Sequence, residues 1–199
     1  MISKLTTEAK LPLAELGRIA YFRPDTLPLD FQSELTVTRH YTPRQYGFTI
    51  TNGIQASLLE VDPDSGFVKL LKHWCVEDSG TVINPMLVDE QLRGGVVQGI
   101  GAALFEECLY DADGQLLNGS MADYLVPMAG EMPDIVCAHV ETPTLQSQLG
   151  AKGVGEAGTA GAPGAIMNAI NDALAPLGAR VTRMPFTPER ILRALKKVD

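Results

Sequence analysis

The run Gly150-Ala151-Lys152-Gly153-Val154-Gly155-Glu156-Ala157-Gly158-Thr159-Ala160-Gly161 is where residue types and spacing come nearest to a reactive site. Its side chains are nearly all small, so a ligand can approach the main chain and meet exposed amide groups. A helix expected to open at Pro163 would turn its N-terminal end, which favours negative charge, toward this loop. Glu156 is the only acid of the run and Lys152 its only base. A carboxylate placed there can take a proton from a reacting group, and partial desolvation would strengthen it as a base. On spacing alone, a Glu that merely caps or solvates the loop fits equally well.

The spelling Gly153-x-Gly155-x-x-Gly158 also matches a dinucleotide-binding fingerprint. That motif needs a buried strand just before its first glycine, and an acid about 20 residues further on at the end of a second strand. Here Leu145-Gln146-Ser147-Gln148-Leu149 is polar and poor in β-branched residues, and Asp172 falls inside the expected helix. Context therefore argues against a nucleotide fold.

A second glycine cluster lies upstream. Leu92, Val96, Ile100 and Leu104 recur at four-residue intervals and predict a helix from about Val88 to Glu107. Gly94, Gly95, Gly99 and Gly101 would each cost that helix up to ~1 kcal/mol relative to Ala, so something must press close to its backbone, either another helix or a ligand. Gln98 sits among them, able to reach a ligand or to face solvent.

The positioning elements follow from turn and cap signals. Strand formers flank Asp62-Pro63-Asp64-Ser65-Gly66 and predict a hairpin from Gly47 to Cys75, with Ser57, Glu60, Lys69 and Lys72 at its wetter positions. Asp111-Ala112-Asp113-Gly114 reads as a turn and Ile135 to Glu141 as a strand. Ile166, Ile170 and Leu174 line a helix ended by Pro176 and Gly178, and Thr187-Pro188 opens a last one with Ile191, Leu192 and Leu195 inward. Hairpin and helix signals interleave without a regular βαβ repeat, so the expected class is α+β, a mixed sheet with several packed helices. Residues 1–45, with a short helical pattern at Leu13, Leu16, Ile19 and Ala20 and then Pro24, Pro28 and Pro43, read as an arm or connector to a domain at 46–199.

Composition removes several classes of function. A net charge of −8 without a basic run gives no nucleic-acid groove and no attraction to an anionic membrane. No apolar stretch approaches 20 residues and the first ten lack a leader-like segment, so a cytoplasmic location is expected. Cys75, Cys108 and Cys137 read as reduced core thiols, and His40, His73 and His139 have no metal-ligand spacing, so any metal would arrive inside another cofactor.

Six segments, in order, resemble the carboxy-terminal half of the molybdopterin-binding region of the xanthine dehydrogenase, aldehyde oxidase and carbon monoxide dehydrogenase family. They are Asp78-Ser79-Gly80-Thr81-Val82-Ile83-Asn84-Pro85, Gly94-Gly95-Val96-Val97-Gln98-Gly99-Ile100-Gly101, Asp123-Tyr124-Leu125-Val126-Pro127 with Met132-Pro133-Asp134-Ile135, Lys152 to Glu156, Asn168 to Ala173, and Phe186 to Leu192. The similarity runs from about Tyr46 to Leu195, and its order makes it specific. The resemblance implies a molybdenum hydroxylase that oxidises an aldehyde or N-heterocycle with water as oxygen source. It implies that Glu156 is the general base, and that Gln98 and the backbone of Lys152, Gly153, Val154 and Gly155 hold the pterin.

The family's subunit is several times longer, and three cysteines cannot supply the roughly eight thiolates of two iron–sulfur clusters. The resemblance therefore implies partners: the remaining part of the molybdenum subunit, an iron–sulfur subunit, and a flavin subunit carrying FAD as a further candidate. The chain alone would be inactive, and an exposed apolar docking surface, with self-association as its side effect, would mark a working subunit. A cofactor-binding or assembly module without turnover is the alternative.

Overall fold

The computed structural model of the chain describes residues 11–42 and 48–199. The expectation for the first ten residues, Pro43, and the Tyr46–Gly47 start of the resemblance and hairpin lie outside the described residues. The chain divides into two compact units, Met1–Thr42 and Pro43–Asp199. In the first, α1 (Leu13–Phe22) carries a two-pronged Arg18–Glu15 pair on its surface and is followed by a short turn at Pro24–Thr26.

The second unit is a three-stranded sheet with helices on one face. Strands β1 (Asn52–Val61) and β2 (Val68–Asp78) form the antiparallel hairpin, and β3 (Asp134–His139) pairs parallel to β2. The sheet is therefore mixed, as the interleaved signals predict. A bulge shapes its inner face: Leu58 pairs with Lys72 but Leu59 pairs with Leu70, leaving Leu71 as the extra residue. Because side chains alternate along a strand, that extra residue lets Val68 and Leu70 before it share one face with His73, Cys75 and Glu77 after it. On β1 the same face carries Gln55, Ser57, Leu59 and Val61. Ser57 is thus not a wet position; its hydroxyl lies inside, 2.8 Å from His73 Nδ1.

Helix α2 (Pro85–Leu104) begins with Pro85 as its first residue and with Asn84 Oδ1 accepting from the Leu87 amide at 3.4 Å. Its fully buried Leu92, Val96 and Ile100 meet Ile166, Ile170 and Leu174 of α3 (Ala157–Leu174). Each such side chain removed from water contributes roughly 1.5–3 kcal/mol. Phe186, just before α4 (Pro188–Ala194), and Ile191 within it close the core, and Asn171 fastens the chain after α3 by two hydrogen bonds to Val181.

Two expectations need correction here. Helix α3 opens at Ala157, and Pro163 lies inside it. Glycines hide that first stretch because their local helix propensity is poor; packing on α2 overrides it. A Cβ on Gly95 would stand 3.0 Å from Gly158 Cα, and one on Gly99 would stand 3.0 Å from the Thr159 carbonyl, which Pro163 cannot serve as a helical donor. The pressing object at Gly95 and Gly99 is thus a helix, whereas Gly94 faces open space. Of the cysteines, only Cys75 is fully buried; Cys137 is half-buried and Cys108 is exposed rather than a core thiol. The sheet's outer face carries exposed Ile54, Leu58, Leu71, Trp74 and Val136. Among the described residues no helix is long and apolar enough to cross a membrane.

Candidate functional site

The glycine-rich loop is held at one end and free at the other. At the held end, Lys152 N–H donates to the Ser79 carbonyl at 2.7 Å, Thr81 and Thr144 amides donate to the Gly150 carbonyl at 3.1 and 3.0 Å, and Gly153 N–H reaches the Thr49 carbonyl at 3.3 Å. Gly80 and Gly150 both sit in the left-handed region, with φ of 66° and 75°, which lets the two backbones meet face to face.

Beneath this ladder lies a saturated carboxylate. Asp78 Oδ1 accepts from the Gly80 amide (2.9 Å) and the Thr142 amide (3.1 Å), and Oδ2 accepts from Lys152 Nζ (2.9 Å) and from the Thr142 hydroxyl. Lys152 Nζ also donates to Thr142 Oγ1 at 2.7 Å. The Thr142 and Lys152 donors, with the two amides, hold the Asp78 carboxyl well below the usual carboxylate range. The Lys152 ammonium is accordingly turned away from the loop's open side, and with its N–H given to Ser79 only its main-chain carbonyl is left for any ligand.

At the free end, nothing among the described residues accepts a hydrogen bond from the amides of Val154, Gly155 or Glu156. These three consecutive donors lead into the 18-residue α3, whose N-cap is Glu156. The Glu156 side chain makes no capping bond and is exposed, so the desolvation expected of it is not provided by this chain's own atoms. A Cβ on Gly155 would meet nothing within 4 Å. The loop therefore presents a carboxylate, three free donors and open space.

Helix α2 flanks that opening. Gln98 is exposed, with its Oε1 accepting from Thr159 Oγ1 at 3.4 Å, and the same hydroxyl is 3.1 Å from the Gly95 carbonyl. One side of α2 thus touches the first turn of α3. Gln91, two turns before Gln98, donates from Nε2 to the Gly155 carbonyl at 2.7 Å, pinning the loop midway along its free end. The sequence reading did not single out Gln91. Its signal was available: glutamines seven residues apart share a helix face, here with Gly94 and Gly95 between them.

A second polar cluster lies under the start of α3. Gln55 Nε2 donates to the Ala157 and Gly158 carbonyls at 3.2 and 3.0 Å, which leaves its Oε1 to accept from His73 Nε2 at 3.0 Å. His73 Nδ1 lies 2.8 Å from Ser57 Oγ, and burial lowers the pKa of the ring. Burial also raises Glu77 and, with Glu77 beside it, pushes the Cys75 thiol up to about 12. These groups support the helix start; none faces the opening. Among the described residues no three His, Cys, Asp or Glu side chains gather as a metal site. Nor is there a buried strand before Gly153, since β3 ends at His139, and the nucleotide fingerprint lacks its context.

Comparison with known proteins identifies the family of the chain. The molybdopterin cofactor-binding domain family matches residues 2–133, a segment that contains Gln98 and ends before the Lys152–Glu156 loop. The nicotine 6-hydroxylase large subunit of Paenarthrobacter nicotinovorans is 40% identical over 191 residues, 96% of this chain and 23% of the relative. The carbon monoxide dehydrogenase large chain of Hydrogenophaga pseudoflava is 32% identical over 185 residues, 93% of this chain and 22% of the relative. The crystal structure of quinoline 2-oxidoreductase from Pseudomonas putida 86 superposes with a TM-score of 0.75 at 40% identity, covering 95% of this chain and 24% of that one. This chain spans about a quarter of the length of these relatives. With family match, relatives and fold in agreement, the chain belongs to the molybdopterin cofactor-binding domain family, within the xanthine dehydrogenase, aldehyde oxidase and carbon monoxide dehydrogenase group.

Proposed function

We propose that this chain forms one wall of a molybdenum-cofactor site in a multi-subunit hydroxylase, with Glu156 as the general base. The observation that carries this reading is the free end of the loop, where an exposed carboxylate stands beside three unpartnered amides and an open Gly155. Those residues fit a pterin cofactor. Amides without acceptors suit the polar edge of such a group, Gly155 admits it to the main chain, and the exposed side-chain amide of Gln98 stands beside the first turn of α3 at Thr159. When bound, the cofactor supplies the redox chemistry, an oxygen atom from water passing to the substrate carbon as two electrons are withdrawn.

The chain's own residues have four tasks. The free amides of Val154, Gly155 and Glu156 hold the group, with the main-chain carbonyls of Lys152 and Gly153 as acceptors beside them. Gln98 gives it a second contact from α2, and Gln91 keeps the Gly155 carbonyl turned away from the opening. Glu156 accepts the proton released as the oxygen attacks. Water must be excluded from above, because Glu156 is exposed in this chain; the cover is the remaining part of the molybdenum subunit, and without it the chain would be inactive. Exposed Ile54, Leu58, Trp74 and Val136 on the sheet are the kind of apolar face such a partner buries. An iron–sulfur subunit, with a flavin subunit bearing FAD, takes the electrons onward. Two of the relatives are named for nicotine and quinoline, which favours an aromatic N-heterocycle over an aldehyde as substrate.

The test is Glu156→Gln in the reconstituted complex. Molybdenum content should stay at the wild-type level while turnover falls by about 10²–10⁴-fold, since an amide cannot take the proton. Turnover near wild type would remove Glu156 from this role. Purification of the complex with analysis for molybdenum and iron, and identification of co-purifying chains, tests the partners.

A further inference from the structure

Four donors converge on one buried carboxylate that lies outside the candidate cofactor surface. The Asp78 and Lys152 side chains are 7% and 12% exposed, and the residues stand 74 positions apart in the chain. Asp78 ends β2, Thr142 follows β3, and Lys152 begins the loop, so a single carboxylate joins three segments. An ionised carboxyl offers about four acceptor positions, and here all four are taken. The Thr142 hydroxyl donates to Asp78 and accepts from Lys152, closing a three-membered ring of bonds. From Lys152 only four residues lead to Glu156. Over that span the intervening amides of Val154 and Gly155 make no bond, so the direction of the loop is set at its anchored end and by Gln91.

We propose that Asp78 is a positioning residue, which through Lys152 and Thr142 fixes the loop that aims Glu156 and its neighbouring amides at the cofactor. The inference rests on the proposed role of Glu156 but can fail separately from it. An ion pair exposed to water would be a weak anchor; this one is enclosed and charge-assisted, and breaking it leaves the other charge buried without a partner. The consequence is local. Helices α2 and α3 are held by their own apolar contact, so loss of the clasp loosens the loop and leaves the helices packed. Misplacement of a reacting group by about 1 Å can lower turnover by about 10²-fold.

Asp78→Asn, Lys152→Met and Thr142→Val, each made in the assembled complex, test this. Hydrogen exchange should quicken at the amides of Thr81, Lys152 and Gly153, which the ladder protects, by at least about 10-fold more than in the interiors of α2 and α3. Molybdenum content and KM should hold while kcat falls by about 10–100-fold, and Thr142→Ser, which keeps the hydroxyl, should behave as wild type. Thr142→Val is the mildest change and covers the case in which the Asp78 variants do not fold. Unchanged exchange in the loop would overturn the proposal. So would faster exchange with unchanged kcat, or a joint loss of molybdenum, KM and helix protection, which is the pattern of a general structural residue. If Glu156→Gln turns over normally, the base assignment fails, and the exchange measurement still decides whether Asp78 holds the loop.

Discussion

Glu77 and Asp78 are adjacent in sequence, both buried and both carboxylates, yet the structure drives their proton affinities in opposite directions. Glu77 points into the region beneath α3, where its carboxylate receives only a long contact from Gln55 Nε2 at 3.4 Å and the Cys75 thiol at 3.6 Å. Burial wins there and raises its pKa. Asp78 points into the region beneath the loop, where two amides, a hydroxyl and an ammonium meet it, and hydrogen bonding wins. Burial alone therefore does not decide the charge of a carboxyl; the donors it meets decide whether desolvation wins. The contrast separates a region that only packs from one that transmits position to the loop.

Asp78→Ala should break the contrast most. It leaves the Lys152 ammonium and the amides of Gly80 and Thr142 without their acceptor, and calorimetry should show a fall in Tm of about 10 °C. Replacement by alanine without loss of Tm would mean that the clasp adds nothing to folding. Acid titration sharpens the same point. Asp78 and His73 both have depressed values in the fold, so each contributes stability that is present above its unfolded pKa and lost as pH falls through the folded one. Unfolding followed by circular dichroism should show one loss beginning below about 6.5, from His73, and a second below about 3.8, from Asp78. In Asp78→Asn the second should be absent. The smallest effect belongs to Glu77→Gln. Its raised value means that its contribution is present below the unfolded pKa and fades as pH rises through the folded one, so at high pH the buried carboxyl costs stability. The amide keeps an acceptor for Gln55, and Tm at pH 8 should be unchanged or about 2 °C higher, with no gain near pH 4. A large loss at pH 8 would show that the Glu77 charge is needed where it lies.

Much of this arrangement was legible before any coordinates. Asp62 to Gly66 announced the hairpin, the four-residue spacing of Leu92, Val96 and Ile100 announced α2, and Thr187-Pro188 announced α4, because turn chemistry and apolar period are local properties. Less legible were the inward Ser57, which depends on a one-residue bulge at Leu71, and the start of α3 at Ala157, which glycines conceal. Gln91 escaped because its partner is a backbone oxygen 64 residues away.

Residue types and their spacing are enough to give the element types, the ordered set of motifs and the loop in which a lone Glu156 sits among glycines. Packing between distant segments settles that Gly95 and Gly99 face a helix while Gly155 faces open space, that Lys152 turns its charge to Asp78 rather than to a ligand, and that the amides of residues 154–156 find no acceptor among the described residues. The reason is physical: spacing along a chain fixes which side of an element a residue occupies, but hydrogen-bond satisfaction is settled between segments that fold together from far apart.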